Sequence, residues 1–464
     1  MDSPALQAIP ARSESVGGWP APTLALLAAV TAGVVAQGGF YLPGRILVSA
    51  LALVALGLTL ARNRRLDRDL RWLAIATAAI AGWALVRAAT AGGFTTAAGI
   101  VLALATLLAG VVAGRRARPR DLAAGLAGLG ALVAITAWAG VAWRVERWSV
   151  LVESTLWRGA STLTYPNAAA AVLAAAGLIA LALLLAEPGS LVWAVMLYAI
   201  LAGLAATLSR AGWLAFAAGV LCLAFLASVR PVLRHLLPAL VGAAIALAAL
   251  VPSFPADASP RPLLAAGGLV FGGLLAVLLP KLHGGALAAA WTLLGAGAAA
   301  ALAVTATRPM PSTVDAVLNR RFTLASQGRS GSLRSALEQA GAHPLLGTGP
   351  GRARYFWFDV HGTLVVSRWV HNEYLQWLVD LGAVGLAALA ALGVAAVVLL
   401  WRGRGTNPLW AGAVAAIAAL AVHSAFDFLW ELAVVPLLFG VLAGMAAPRP
   451  SEESAPSTNG EESQ

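Results

Sequence analysis

The chain has 464 residues, 60% of them hydrophobic and only 11% charged, where a soluble domain carries about 25% charged residues. That composition excludes an ordinary soluble globule. The formal charge of +11 would suggest a nucleic-acid partner in a soluble protein, but here the positions of the charges carry more information than their sum. All 31 basic residues except Lys281 are arginine, and the accompanying excess of Ala and Gly reads as gene base composition more than function. Cys222 is the single cysteine, so there is no disulfide framework and no cysteine-based metal site.

The N-terminal residues, with Asp2, Arg12 and Glu14, lack a basic n-region and a small-residue cleavage site, and residues 1–21 read as a cytoplasmic tail. Apolar runs then recur, each long enough to cross a hydrocarbon core about 30 Å thick as a helix. No period-2 alternation repeats, which sets aside a strand barrel. Fourteen spans are expected, near 22–41, 45–61, 72–86, 95–114, 122–143, 167–186, 190–208, 211–228, 236–252, 263–280, 285–306, 376–401, 409–427 and 431–446. The expected fold is thus all-α: a polytopic transmembrane bundle of about 12–14 spans, with a large outer loop containing short amphipathic helices.

Arginine clusters fall on alternate connections. Arg62, Arg64, Arg65, Arg68 and Arg71 share a side with Arg115, Arg116, Arg118, Arg120, Arg230, Arg234, Lys281, Arg402 and Arg404. With Arg12 and Arg449 that side holds 16 basic residues, against 7 in the short loops opposite. The positive-inside rule makes the first side cytoplasmic, with both termini there, in a bacterial-type inner membrane. Residues 22–306 hold eleven spans, 307–375 form a large periplasmic loop, 376–446 hold three more spans, and 447–464 form a disordered tail.

Two outer connections are long: Arg144 to Asn167, which contains Arg158, and Thr307 to His371. Loops of that length are functional or disordered, and the second has structure written into it. Ser332 is expected to cap a helix through Gly341, with Leu333, Ala336, Leu337 and Ala340 on one face. His343-Pro344 and Gly347-Thr348-Gly349-Pro350-Gly351 then make a turn, followed by the aromatic run Tyr355, Phe356, Trp357 and Phe358. The loop carries Arg308, Arg320, Arg321, Arg329, Arg334, Arg352, Arg354 and Arg368 against the acids Asp315, Glu338 and Asp359. Guanidinium forks bind phosphate oxygens in bidentate fashion and keep their charge; a solvated basic face is the alternative.

Arg210 sits in the tight hairpin Ser209-Arg210-Ala211-Gly212-Trp213, where a charge is either functional or an interfacial anchor beside Trp213. The segment His371-Asn372-Glu373-Tyr374 groups an imidazole, an amide, a carboxylate and a phenol where a span begins. His371 suits a general base near neutral pH; Asn372 as a helix cap and Tyr374 as a belt residue are the alternatives. His423 and Asp427 lie four apart, close to Glu431, either as support for that site or as an intrahelical pair. Asp67-Arg68-Asp69 is a poor metal motif because arginines neutralise it, and His343, His361 and His371 lack zinc-like spacing, so no metal is expected.

Ala342-His343-Pro344-Leu345-Leu346-Gly347-Thr348-Gly349-Pro350-Gly351, then His371-Asn372-Glu373-Tyr374-Leu375-Gln376 and Asp380-Leu381-Gly382-Ala383-Val384-Gly385, resembles the O-antigen ligase and polymerase superfamily. Leu163-Thr164-Tyr165-Pro166-Asn167 and the Arg210 hairpin agree with it. The resemblance implies an integral-membrane glycosyltransferase that moves a glycan from a polyprenyl-diphosphate donor to a lipid, glycan or protein acceptor on the outer side, without metal or cofactor. It implies catalytic roles for His371, Arg210 and Arg334, with Arg320 or Arg321 a competing match for Arg334. Arg320, Arg321, Arg352, Arg158, Asn372, Glu373 and Tyr374 make up the expected substrate-binding set. Alternatives within the superfamily are a glycan polymerase and a protein O-oligosaccharyltransferase. The rival from another class, a lipid-linked glycan transporter, predicts internal repeats and midplane charges that the sequence does not display.

Overall fold

The computed structural model describes residues 19–62, 68–152, 155–282, 327–359 and 362–449. In chain order the helices are α1 (Ala21–Val35), α2 (Leu42–Arg62), α3 (Arg68–Ala91), α4 (Phe94–Arg116), α5 (Pro119–Ala142), α6 (Pro166–Ala186), α7 (Leu191–Ala206), α8 (Arg210–Ala227), α9 (Val229–Leu250) and α10 (Pro262–Leu278). They continue as α11 (Gln327–Ala342), α12 (Glu373–Arg402), α13 (Pro408–Ser424) and α14 (Val434–Ala446). Two antiparallel hairpins interrupt them: β1 (Ser149–Val152) with β2 (Leu156–Gly159), and β3 (Tyr355–Phe358) with β4 (Leu364–Ser367).

Among the described residues nine helices are long and apolar enough to cross a membrane, and α1, α7, α13 and α14 are shorter apolar helices. The protein is a multi-pass helical membrane protein. Thirteen of the fourteen expected spans coincide with these helices. The eleventh, 285–306, lies outside the described residues, as do Asp67, Arg308, Asp315, Arg320, Arg321, His361 and most of both tails.

Close packing comes from small residues, since lipid offers no hydrophobic drive between helices and backbone proximity has to supply contact. Gly110 and Gly114 of α4 face Gly440 and Gly444 of α14 at i, i+4 spacing on both helices. A Cβ on Gly440 would strike the Leu107 carbonyl, and one on Gly110 would lie 3.0 Å from the Val441 nitrogen. The alanine-rich α6 is the most enclosed element, with 94% of its apolar window buried.

The connections sort into two layers. On one side, Arg120 pairs with Glu187 at 2.8 Å, and Arg115 donates to the Pro448 carbonyl. On the other, Arg45 pairs with Glu431 at 3.1 Å, Arg144 donates to the Pro255 carbonyl at 2.6 Å, and Phe40 packs on Trp369. The arginine-rich connections between α4 and α5 and after α14 therefore share one face, and both long connections share the opposite one.

The loop differs from expectation in two places. α11 begins at Gln327, so Ser332 is a fully buried interior residue and not a cap. Its buried face is Ser332, Ser335, Ala336 and Ala340, while Leu333 and Leu337 are exposed. The reason is the neighbour: α11 lies on β3, where the Ser335 hydroxyl accepts from Phe356 N at 3.2 Å and Gln339 donates to the Arg354 carbonyl at 2.8 Å. A partner that presents backbone groups selects the small polar face. The aromatic run 355–358 is a strand, with Tyr355 buried and Phe356 and Phe358 exposed.

α12 is broken at Gly382, where φ is 70° and ψ is −174°. The turn 344–349 fills the break. Ala383 N donates to the Pro344 carbonyl at 2.8 Å, Thr348 N to the Val379 carbonyl at 2.8 Å, and Gly349 N to the Asp380 carbonyl at 3.0 Å. From α3, Trp83 donates to the Leu381 carbonyl at 2.9 Å, and Arg87 donates to the Leu346 and Gly347 carbonyls at 2.8 and 3.2 Å. Every backbone group released by the kink has a substitute partner.

That region of φ/ψ is open essentially to glycine alone and costs other residues about 1–3 kcal/mol. A Cβ on Gly347, at φ 71°, would come within 2.6 Å of the Gly382 nitrogen. Gly382→Ala and Gly347→Ala are each expected to lower stability by at least about 1–3 kcal/mol, read as an earlier thermal transition in detergent. Gly393→Ala, where a Cβ meets nothing within 4 Å, is expected to leave that transition in place.

Candidate functional site

His371 is placed by three local features. It follows β4, it has φ 53° in the left-handed region that histidine visits more readily than most residues, and it precedes a capped helix. Asn372 is the cap: its side chain accepts from Leu375 N at 3.1 Å. Glu373 is buried, accepting from Trp377 Nε1 at 3.1 Å and from Trp430 N at 3.3 Å. The Tyr374 hydroxyl donates to the Ala421 carbonyl at 2.8 Å. Asn372 thus fixes the start of α12 itself, while Glu373 ties it to the short 3-10 turn Leu429–Glu431 and Tyr374 ties it to α13.

The clamp aims His371 at a buried carboxylate. His371 Nδ1 lies 2.9 Å from Asp427 Oδ1, with the imidazole side chain 32% exposed and Asp427 fully buried. The Tyr165 hydroxyl donates to Asp427 Oδ2 at 2.6 Å, Asn167 Nδ2 donates to the same oxygen, and Phe428 N donates to Oδ1 at 2.9 Å. Behind them, Asn167 Oδ1 accepts from Ser209 Oγ at 2.9 Å and from Arg158 at 3.1 Å, and Arg158 also donates to the Thr207 carbonyl at 2.8 Å. A carboxylate accepts only, so the Nδ1 facing it carries the proton and Nε2 keeps its lone pair. That tautomer suits a base whose partner orients it.

Aromatic rings wall the pair. Phe428 stacks on Tyr165, with centroids 5.5 Å apart, and on Trp369 at 5.0 Å; it also meets the His371 ring at 5.0 Å. Phe40 continues the wall 5.7 Å from Trp369, and the Arg368 guanidinium lies 5.8 Å above the Trp369 ring.

The structure therefore brings His371, Asn372, Glu373, Tyr374 and Arg158 into one connected region. Arg210 is exposed at the head of α8, directly after Ser209, whose hydroxyl caps that helix. Arg334 is exposed on α11, and Arg352 is exposed with its stem over Gly92 at the end of α3. Asp427 lies beyond the end of α13 at Ser424, so it is not the i, i+4 partner of His423 within one helix, and Glu431 belongs to Arg45. Sequence reasoning passed over Trp369 and Phe428 as wall residues and Trp83 and Arg87 as supports. The Tyr165-Pro166-Asn167 motif was the signal for the donors to Asp427.

Burial pushes the Asp427 carboxyl up, but the hydrogen bond and charge of His371, with the donations from Tyr165 and Asn167, outweigh it and hold the group below the usual carboxylate range. A depressed carboxylate adds stability that is complete above its unfolded value, near ~4, and is lost as pH falls through the folded value. The wild-type thermal transition is therefore expected to fall as pH drops below about 4. Asp427→Asn is expected to be less stable at pH 7 and to show a flatter acid limb.

No curated protein matches the chain. Residues 193–390 match the family model described as O-antigen ligase. The matched stretch runs from α7 into α12 and includes Arg210, the 342–351 turn, His371 and Gly382; Arg158, Tyr165, Asn167 and Asp427 lie outside it. Over residues 193–390 the chain is thus similar to the O-antigen ligase family.

Proposed function

We propose that this protein is a membrane-embedded glycan transferase of the O-antigen ligase type, using a polyprenyl-diphosphate-linked glycan as donor and working on the periplasmic face of the inner membrane. The observation that carries the reading is the pairing of the part-exposed His371, which lies within the matched stretch just ahead of the glycine-broken α12, with the buried Asp427, which Tyr165, Asn167 and the Phe428 amide also hydrogen-bond. The match over residues 193–390 supports a ligase- or polymerase-like membrane enzyme; donor, residues and steps are our assignment.

In this mechanism the acceptor hydroxyl lies against His371 Nε2. Its oxygen bonds to the anomeric carbon as the bond from that carbon to the diphosphate oxygen breaks. The hydroxyl proton passes to Nε2, and the bonding electrons leave with the polyprenyl diphosphate. Asp427 stabilises the imidazolium that forms. Arg210 and Arg334, with Arg352 and with Arg320 and Arg321 of the same loop, hold the diphosphate and stabilise its growing charge, the type of electrostatic stabilisation that supplies several kcal/mol. Arg158, Asn372, Glu373 and Tyr374 act by position: each is occupied holding Asn167, α12 or α13.

His371→Ala is expected to keep donor binding and lower turnover by about 10² or more, the usual worth of a general base. Arg210→Ala and Arg334→Ala are expected to weaken donor binding as well as turnover, because a charge-assisted contact is lost. A correctly inserted His371→Ala protein with near-normal turnover at saturating substrates would overturn the assignment.

Orientation has its own test. Cysteines at positions 327 and 362, in a chain whose single native thiol is Cys222 within α8, are expected to react with a membrane-impermeant thiol reagent in intact spheroplasts. Labelling only after lysis would invert the topology and place the site in the cytoplasm.

A further inference from the structure

A cleft of about 560 Å³ opens beside the aromatic wall, lined by Gln37, Tyr41, Arg147, Thr162 and Thr164 among others. Its volume falls within the range of about 300–1,000 Å³ usual for small-molecule sites. It adjoins the His371 region along two paths. Tyr41 meets Phe40 edge-on at 5.2 Å, and Phe40 meets Trp369, which stacks on Phe428 against the imidazole. On the other wall Thr164 directly precedes Tyr165, the donor to Asp427.

The lining selects a ligand chemistry. It offers an amide, two threonine hydroxyls, a phenol ring that is 60% exposed, and one guanidinium, with no carboxylate among the lining residues. Thr162 donates to the Val34 carbonyl at 2.7 Å, which turns its lone pairs toward a ligand hydroxyl. A diphosphate requires several cations, and the cleft has one, Arg147; Val35, Ala36 and Pro43 complete its lining beside the polar groups. Neutral donors and acceptors around an exposed aromatic face suit a sugar ring, whose hydroxyls are satisfied at the edge and whose C–H face lies on the aromatic ring. Gln37 and Thr164 are both non-glycine residues at positive φ, 57° and 56°, and strain of that kind concentrates where a side chain is held for a ligand.

We infer that this cleft is a carbohydrate subsite that seats a sugar ring of one of the two glycan substrates on Tyr41, between Arg147 and the threonines, within reach of the wall that ends at His371. The inference rests on the transferase reading, and its chemistry fits a sugar of either donor or acceptor. The test uses the full chain in nanodiscs, with lipid-linked glycan extracted from the producing bacterium as donor probe and purified acceptor glycan as the other.

Tyr41→Ala and Arg147→Gln are expected to raise KM by about tenfold, a loss of about 1.4 kcal/mol, while kcat changes little; Tyr41→Phe, which keeps the ring, should restore the affinity. A rise confined to the donor assigns the subsite to the donor glycan, and one confined to the acceptor assigns it to the acceptor. Saturation-transfer NMR with the same two glycans freed from lipid reads binding without catalysis. A Tyr41-dependent signal sustains the subsite even where transfer fails. Unchanged KM for both substrates in Tyr41→Ala and Arg147→Gln, with NMR signals equal to wild type, overturns it.

Discussion

A helix that enters a membrane has no water to satisfy its backbone, so a break in it has to be repaired by protein. At Gly382 the repair is the turn 344–349, whose amides and carbonyls replace the helical partners of Val379, Asp380, Ala383 and Val384. Because the substitution is reciprocal, turn and helix fix each other. Trp83 and Arg87 add side-chain donors where no amide reaches. The 20 residues from Ala383 to Arg402, at about 1.5 Å each, span about 30 Å, a full hydrocarbon core. Nine residues precede the kink, and His371 stands just ahead of them.

The same repair fixes the electrostatics. A carboxylate taken out of water costs several kcal/mol unless its lone pairs are occupied. Asp427 meets that cost with donors from three separate stretches of chain: Tyr165 and Asn167 at the start of α6, the Phe428 amide after α13, and His371 ahead of α12. Removing any of them leaves a buried charge with fewer partners, which couples the outer connections to one another. The arginine behind Asn167, Arg158, is buried too and donates to Asn167 and to the Thr207 carbonyl. The site's cations thus divide into one that holds the network from within and exposed ones, Arg210, Arg334 and Arg352, that face outward.

How much of this the sequence displayed follows from the range of each interaction. Spans depend on composition over 20 residues, so thirteen of them were readable directly. His371 was readable because imidazole, amide, carboxylate and phenol are adjacent in sequence. The partner of His371 was not, since 56 residues separate it from Asp427 and a nearer histidine, His423, offers a plausible local pair. The face of α11 was misread for a related reason: period alone favoured Leu333 and Leu337, while contact with the backbone of β3 favours Ser335 and Ala336. Glycines were visible as turn signals, but that Gly347 and Gly382 oppose each other emerges only once the loop lies inside the helix break.

The family-matched stretch, 193–390, contains His371, the turn and the glycine break of α12, but neither Asp427 nor its tyrosine and asparagine donors. This division has a physical sense. The turn 344–349 and the break in α12 are tied to each other directly by backbone hydrogen bonds, and His371 stands at the head of the same helix. The support for the carboxylate requires only donors of the right kind at the right depth, which several arrangements of outer connections can supply. Of the wall residues beside it, Trp369 belongs to the matched stretch while Phe40 and Phe428 do not. The matched stretch and the connections outside it therefore meet at the His371–Asp427 contact, to which each contributes one partner.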